Sequence, residues 1–417
     1  MKLKQKYRLK KTERYIRNML LEEYFREMSE DPNSIWASLK ISEQRKKFDD
    51  LGYILDHLKT VPKCLFKYRS CNANNFKALE DNSIWVSSAE QFMDPYDCRL
   101  PFSIKNLPKS KIKRLAKWFV FASYIYVNNE DNLSKDENSL TPEEVRNIFF
   151  AHCYNDDLVL NVKRTQKYIK KKYPIEQREK IVKKIVLFDQ EISQRGRAQG
   201  LLDWYKAHCE EWCSSTIDLN RKARYVCSLT ETNNNPKMWE EYADNYGGFC
   251  IRYDFTQGIR FDLLDVESSV YALKGLLPVF YTERRPKFNS YKFQFLQYHD
   301  TLFEIKNTSH DPDMATKLHL QTLMKNPKYS NEQEWRIVIG GEEPGLIWFP
   351  FATGIYMGKD ISKENKERLM QIAKKNNLTV YQQKIGVASF EYEIVRLAEP
   401  REIISSKTII VHNSALN

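Results

Sequence analysis

Apolar positions along this chain change period more than once, and each change marks an expected element boundary. Ile16, Met19, Leu20, Tyr24 and Phe25 recur at helical spacing, as do Leu51, Ile54, Leu55 and Leu58. Residues 1–61 are therefore expected to form a basic helical extension. From Leu65 the period shortens. Leu65-Phe-Lys-Tyr-Arg69 reads as a strand, Asn74 to Leu79 as a short helix, and Ser83-Ile-Trp-Val-Ser87 as a second strand. Phe92-Met-Asp-Pro-Tyr-Asp97 then makes a turn around Pro95.

Residues 105–222 have a different texture, long, helical and rich in Lys and Arg, with Phe119 to Val127 the most apolar part. Thr141-Pro-Glu-Glu144 is a helix start: Thr141 caps, Pro142 takes the first helical position, and Glu144 closes a capping box. Strand character returns at Tyr225 to Leu229. A helix from Pro236 to Asp244 follows, ended by Gly247 and Gly248, then a strand from Phe249 to Tyr253. Val279 to Tyr281, Trp335 to Ile339, Ile355 to Gly358 and Leu378 to Tyr381 read as strands, with a helix from Asp360 to Lys375. The simplest organisation is one α+β core, residues 62–104 and 223–417, split by the helical insertion 105–222.

Charge narrows the partners without choosing among them. Lys and Arg outnumber Asp and Glu by 66 to 55, a formal net charge of +11, which favours nucleic acid, an anionic cofactor or an acidic protein. Lys163 to Lys183 is the densest cationic run, with Tyr168, Tyr173 and Ile175 interleaved; it reads as a solvated face or a nucleic-acid contact. No apolar run approaches the ~20 residues of a membrane helix, and no apolar signal core follows the basic start. A soluble, cytoplasmic protein with no membrane partner is expected. Eight cysteines include no C-x-x-C pair. Cys209 and Cys213, one helical turn apart beside His208, could be half a zinc site or simply buried thiols; no metal site is assigned. The chain has no G-x-x-x-x-G-K-[ST], H-E-x-x-H or G-x-S-x-G string, and its seven histidines pair with no Ser or Cys motif.

The candidate chemistry centres on Glu332-Gln-Glu334-Trp335-Arg336. In an extended segment the two carboxylates, at i and i+2, would point to one side and share a pocket. Such a pair can steady an electron-poor sugar carbon and orient a nucleophile against it. The plainer reading is a solvated edge with an Arg336 salt bridge. Asp94 and Asp97 either shape the turn around Pro95 or join a site; Trp239 and Tyr242, on one helical face, suit core packing.

Taken together, Leu65-Phe-Lys-Tyr-Arg69, Trp85-Val-Ser-Ser88, Phe92-Met-Asp-Pro-Tyr-Asp97, Trp239-Glu-Glu-Tyr-Ala243 with Gly248-Phe-Cys-Ile251, and Glu332 to Arg336 resemble the bacterial domain-of-unknown-function family two-nine-seven-one. The resemblance covers about residues 62–104 and 223–385. Met93 stands where that family usually has Asn, so the hydrogen bond an Asn would make is missing. The order of Arg, Ser-Ser and E-x-E is in turn similar to the ADP-ribosyltransferase plan. That likeness implies a split-sheet core with NAD as substrate. Carried over by position, Arg69 with Tyr68 and the serines Ser87 and Ser88 would bind the dinucleotide, Glu334 would be the catalytic glutamate, and Glu332 would lie beside the acceptor.

Such a transferase would modify RNA, DNA or protein, and deployment as a toxin or antiviral-defence effector would imply an antitoxin or regulatory partner. Two other readings stay open. One is a non-catalytic nucleic-acid-binding or adaptor protein that binds through the insertion. The other is a metal-dependent nuclease using Asp94, Asp97, Glu332 and Glu334.

Overall fold

Burial along the strands shows where each sits. β4 (Phe249–Asp254) is buried at all positions but one and β3 (Arg224–Thr230) at all but two, as expected inside a sheet covered on both faces, whereas β12 (Tyr392–Ala398) is mostly exposed and lies at an edge. The computed structural model describes residues 3–30, 57, 59–105, 107–130, 137–196, 201–255, 275–283, 285, 291, 302, 312–340, 344–387 and 392–398. The helical pattern from Leu51 to Leu58 lies outside them.

The fold is α+β, built on a mixed sheet that also contains β1 (Cys64–Arg69), β2 (Ser83–Ser88), β5 (Leu276–Pro278), β8 (Glu334–Gly340), β9 (Gly345–Trp348), β10 (Ala352–Met357) and β11 (Thr379–Ile385). Its order is β12-β11-β10-β4-β1-β3-β2-β9, and β8 pairs with both β3 and β5. Only β10 and β11 run parallel among these described pairs. A separate parallel pair joins β6 (Phe280–Tyr281) to β7 (Met324–Lys325).

One edge of β3 pairs with β8 along seven residues, Arg224 to Thr230 against Gly340 to Glu334. Its other edge is shared. β1 meets it at Phe66 and Thr230, while β2 meets it at Ser87 with Val226 and Ser88 with Tyr225. Between those contacts β1 and β2 diverge, and the sheet is split. At the far end of β1, Gly248 permits the turn into β4: a Cβ there would lie 2.3 Å from the Arg69 carbonyl oxygen. The three residues before this glycine pair, Asp244, Asn245 and Tyr246, all have positive φ, so the turn out of the preceding helix is tight.

Helices cover the sheet and fill the interval between β2 and β3. α1 (Leu3–Glu30) sets Tyr15 and Ile16 against Leu277, Phe280 and Val338, behind β8. α2 (Ala73–Glu80) is capped by Asn72 and follows β1. The interval from 109 to 222 holds α3 (Lys109–Glu130), α4 (Pro142–Phe150), α5 (Val162–Lys172), α6 (Ile175–Gly196) and α7 (Leu201–Lys222). Thr141 and Glu144 form the expected capping box at α4. Phe121, Ile148, Ile169, Ile185 and Phe188 make one apolar core of this region; Leu115, Tyr205, Cys209 and Cys213 belong to a second. All eight cysteines are free. α8 (Pro236–Tyr242) buries Trp239 against Tyr68 and Tyr246. α9 (Pro312–Gln321) precedes β7, and α10 (Lys363–Asn376) packs Leu369 and Ile372 into the main core with Leu65, Ile251 and Ile337. Among the described residues no helix is long and apolar enough to cross a membrane.

Candidate active site

The split between β1 and β2 opens into a cleft of about 720 Å³, within the usual range of small-ligand sites. β1 contributes Lys67, Tyr68 and Arg69; β2 contributes Trp85 and Ser87; β3 contributes Ser228 and Thr230. Asp97, Lys325, Glu332, Glu334 and Arg336 form a charged wall. Trp85, Met93 and Tyr242 stand exposed at the rim, with Met93 the most open at 89%.

At the centre of the charged wall is Arg336, which is fully buried. Its guanidinium grips Asp97 through two parallel bonds, Nη1 to Oδ1 and Nη2 to Oδ2, each 2.7 Å. Nε donates to Glu334 Oε1 at 2.7 Å, Nη2 also reaches Glu334 Oε2 at 3.2 Å, and Nη1 donates to the Thr322 carbonyl at 2.6 Å. All five guanidinium donors therefore have acceptors, the condition under which a buried arginine is tolerated. Lys325 Nζ bridges the two glutamates, 2.6 Å from Glu332 Oε2 and 3.0 Å from Glu334 Oε2.

These contacts push the two glutamates in opposite directions. Burial would raise the Glu334 carboxyl, but the charges of Arg336 and Lys325 outweigh it and hold it down at about 2. For Glu332, burial wins over Lys325, and the carboxyl sits above its ordinary value. Glu334 is thus a fixed anion, and Glu332 is the carboxylate nearer to exchanging a proton.

Local geometry brings the pair together by a route other than the expected one. Glu332 ends a 3-10 turn, Pro327–Glu332, that Asn326 caps; Glu334 begins β8; and Gln333 between them is left-handed, with φ 46° and ψ 51°. The two carboxylates do not share an extended segment. Their convergence depends on a conformation that costs a non-glycine residue roughly 1 kcal/mol. It is held by Thr230 Oγ1 donating to the Glu332 carbonyl at 2.6 Å and by the Glu231 amide donating to the Gln333 carbonyl at 3.2 Å. The solvated-edge reading also fails, because Glu332, Glu334 and Arg336 are all buried.

Other sequence candidates divide. Arg69, Tyr68 and Ser87 line the cleft with the glutamates. Tyr68 is largely committed to the framework: its hydroxyl donates to the Thr232 carbonyl and accepts from the Asn235 amide, and its ring packs edge-on against Trp239. Ser88 is not a lining residue. Its hydroxyl donates to the carbonyls of Arg221 and Lys222 and caps the short turn that follows β2, which ties β2 to α7. Asp94 lines the cleft but spends Oδ1 on the Tyr96 amide, the bond of an Asx turn.

Lys67 and Lys325 were not legible as site residues. Lys67 Nζ reaches across the split to the Ser228 carbonyl at 2.6 Å. Burial, then the neighbouring Arg69, lowers its amine to about 8. The only sequence signal was its place two residues before Arg69 on a predicted strand. Among the described residues no group of three His, Cys, Asp or Glu is spaced to hold a metal ion. Where a metal would sit between Asp97, Glu332 and Glu334, Lys325 and Arg336 already supply the positive charge.

A family model described as protein of unknown function (DUF2971) matches residues 238–337. The match runs from α8 to the middle of β8 and contains the Gly248 and Glu332-to-Arg336 motifs, which supports the family resemblance; the motifs on β1 and β2 lie outside it. Comparisons with curated proteins and with solved structures find no match.

Proposed function

We propose that this protein is an ADP-ribosyltransferase-like enzyme that consumes NAD and passes ADP-ribose to a nucleic-acid or protein acceptor. The observation that carries this reading is a pair of glutamates with opposed protonation behaviour on one wall of a cleft, with Arg69 and Ser87 on the others. In this scheme the bond from ribose C1′ to nicotinamide breaks, and nicotinamide leaves with the bonding pair. The ionised Glu334 stabilises the oxocarbenium-like carbon electrostatically. The acceptor nucleophile bonds to C1′ and gives its proton to Glu332. Arg69 holds the dinucleotide phosphates. Glu334 Oε1 accepts from Arg336 Nε and Oε2 from Arg336 and Lys325, so a ribose hydroxyl reaches this carboxylate at a remaining lone pair or by displacing Lys325, the one partner that bridges both glutamates.

The test is nicotinamide release from NAD by the purified full chain, alone and with RNA, DNA or cell lysate, together with transfer of an adenylate-side label. Release and transfer are expected, unaffected by EDTA. Nucleic-acid cleavage that needs a divalent ion and ignores NAD would replace this reading with the nuclease. NAD left intact under every condition removes the transferase. The binding-module reading draws support from the exposed lysines of α5 and is distinguished by nucleic-acid binding that needs neither NAD nor Glu334.

A further inference from the structure

Lys67 and Arg69 are two residues apart on β1, so their side chains leave the strand on one face, and both line the cleft. Neither has a carboxylate within ion-pair distance among the described residues; Glu334 acts on Lys67 only from farther off. Lys67 donates to the Ser228 carbonyl, and Arg69 makes no side-chain hydrogen bond or ion pair there. The two cations of the charged wall, Lys325 and Arg336, are both neutralised by glutamates or Asp97. A pair of cations held side by side in a partly enclosed space, with no protein anion in direct contact, is a site that an anionic ligand completes.

The split makes this pair available. Where β1 and β2 diverge from β3, the Ser228 carbonyl receives Lys67 Nζ instead of a strand amide. That bond fixes the amine at the gap, and even with the Cys227 thiol also beside it one of the three ammonium donors is left for a ligand. The groups facing Lys67 are Arg69 on its own strand, Cys227 on β3 and Glu334 on β8. Burial and Arg69 lower the amine, to about 8, while Cys227 and Glu334 act weakly the other way. An entering anion adds opposite charge and raises it again.

We propose that Lys67 and Arg69 clamp the pyrophosphate of a nucleotide ligand at the split in the sheet, and that Lys67 takes up a proton as the anion binds. The clamp deepens the NAD reading and rests on it for the identity of the whole ligand, though not for the recognition of pyrophosphate. Arg69 supplies a permanent fork of donors, and Lys67 a charge that is completed on binding.

The experiment is calorimetric titration of the full chain with two probes. ADP-ribose, whose pyrophosphate diester does not titrate near pH 8, is titrated at pH 8.5 in two buffers of different ionisation enthalpy to count protons. Inorganic pyrophosphate asks whether the clamp recognises the anion without its nucleosides. Both are expected to bind, and ADP-ribose with net proton uptake. Lys67→Gln, which keeps a donor for the Ser228 carbonyl, should weaken both probes roughly ten-fold or more and abolish the uptake. Lys67→Arg should restore affinity without uptake, and thermal melts of both variants check that the fold persists. No binding of inorganic pyrophosphate, unchanged affinity in Lys67→Gln, or unchanged uptake overturns the clamp. Lys67-dependent pyrophosphate binding without nicotinamide release would keep the clamp and remove the transferase. Nicotinamide release with Lys67-independent binding would do the reverse.

Discussion

In the helical region between β2 and β3 the charges are mostly spread over the surface, whereas in the split sheet they are driven inside. Lys183 and Glu179, on α6, pair at 2.9 Å with 73% and 81% of their side chains exposed. Arg336 pairs with Asp97 and Glu334 at the same kind of distance with 1% exposed. Distance is therefore a poor guide to what an ion pair does. In water the surface pair loses to hydration most of what it gains, and salt screens the remainder. In the cleft wall the charged side chains are 1–9% exposed, so hydration competes little, each charge must be matched, and a mismatch is costly. The helical region keeps its apolar cores almost free of charge, with Lys117 an exception; the sheet places a five-member ionic network beside its cleft.

This contrast breaks first at Arg336. Arg336→Met leaves Asp97 and Glu334 buried with Lys325 as their one remaining cation in the wall and should destabilise the protein by about 3–5 kcal/mol, read from urea unfolding. A loss below about 1 kcal/mol would mean that water enters the wall and that the two regions are not so different.

Glu334→Gln ranks next. It should lower NAD-dependent transfer on the order of a hundredfold. Because Arg336 and Lys325 lose a counter-charge, the melting temperature should fall as well. The pH dependence has a defined sign. The folded carboxyl, near 2, lies below its ordinary value of 4.5, so Glu334 adds stability that is present above pH 4.5 and lost as pH falls toward 2. Acid titration of the two proteins should differ in that window, and superimposable acid limbs would show that Glu334 is not held by its cations.

The helical region offers a smaller effect at Lys117, whose Nζ donates to the Tyr154 carbonyl at 2.7 Å in a buried setting. Lys117→Met removes the donor and should cost about 1–3 kcal/mol, seen as an earlier unfolding midpoint. A gain in stability would identify the amine itself, whose charge burial disfavours, as the more expensive partner.

The smallest expected effect lies on α5, which docks through Thr165 and Ile169 and turns its lysines outward. Replacing Lys163, Lys167, Lys170 and Lys171 with Gln together should leave the unfolding midpoint unchanged. If that face binds nucleic acid, filter binding should lose roughly one unit of log–log salt slope for each phosphate contact removed. An unaltered slope makes it a solvated face.

Much of the secondary structure could be read from the sequence, because helix and strand periods and caps act over a few residues. Thr141 and Glu144 form their box, and Leu65 to Arg69, Tyr225 to Leu229 and Trp335 to Ile339 are strands within a residue or two of expectation. β5, β7, β9 and β12 were not read: the first three have only two to four residues, and β12, an edge strand, shows no in–out alternation. The helix after Tyr225 ends at Tyr242, two residues early, because three left-handed residues follow it before the glycines.

The sequence by itself singled out Glu332 and Glu334 as chemistry-bearing positions, by residue type and spacing, and the motif resemblance added Arg69 and Ser87, since all of these are local strings. Tertiary structure alone decided that they line one cleft, that Asp97 meets Arg336 across 239 positions, and that Lys67 faces a gap between strands instead of a strand partner. It also decided the protonation of the two glutamates. Pairing register and burial arise from contacts between distant segments, and the electrostatic environment of a carboxylate follows from which distant cation arrives beside it.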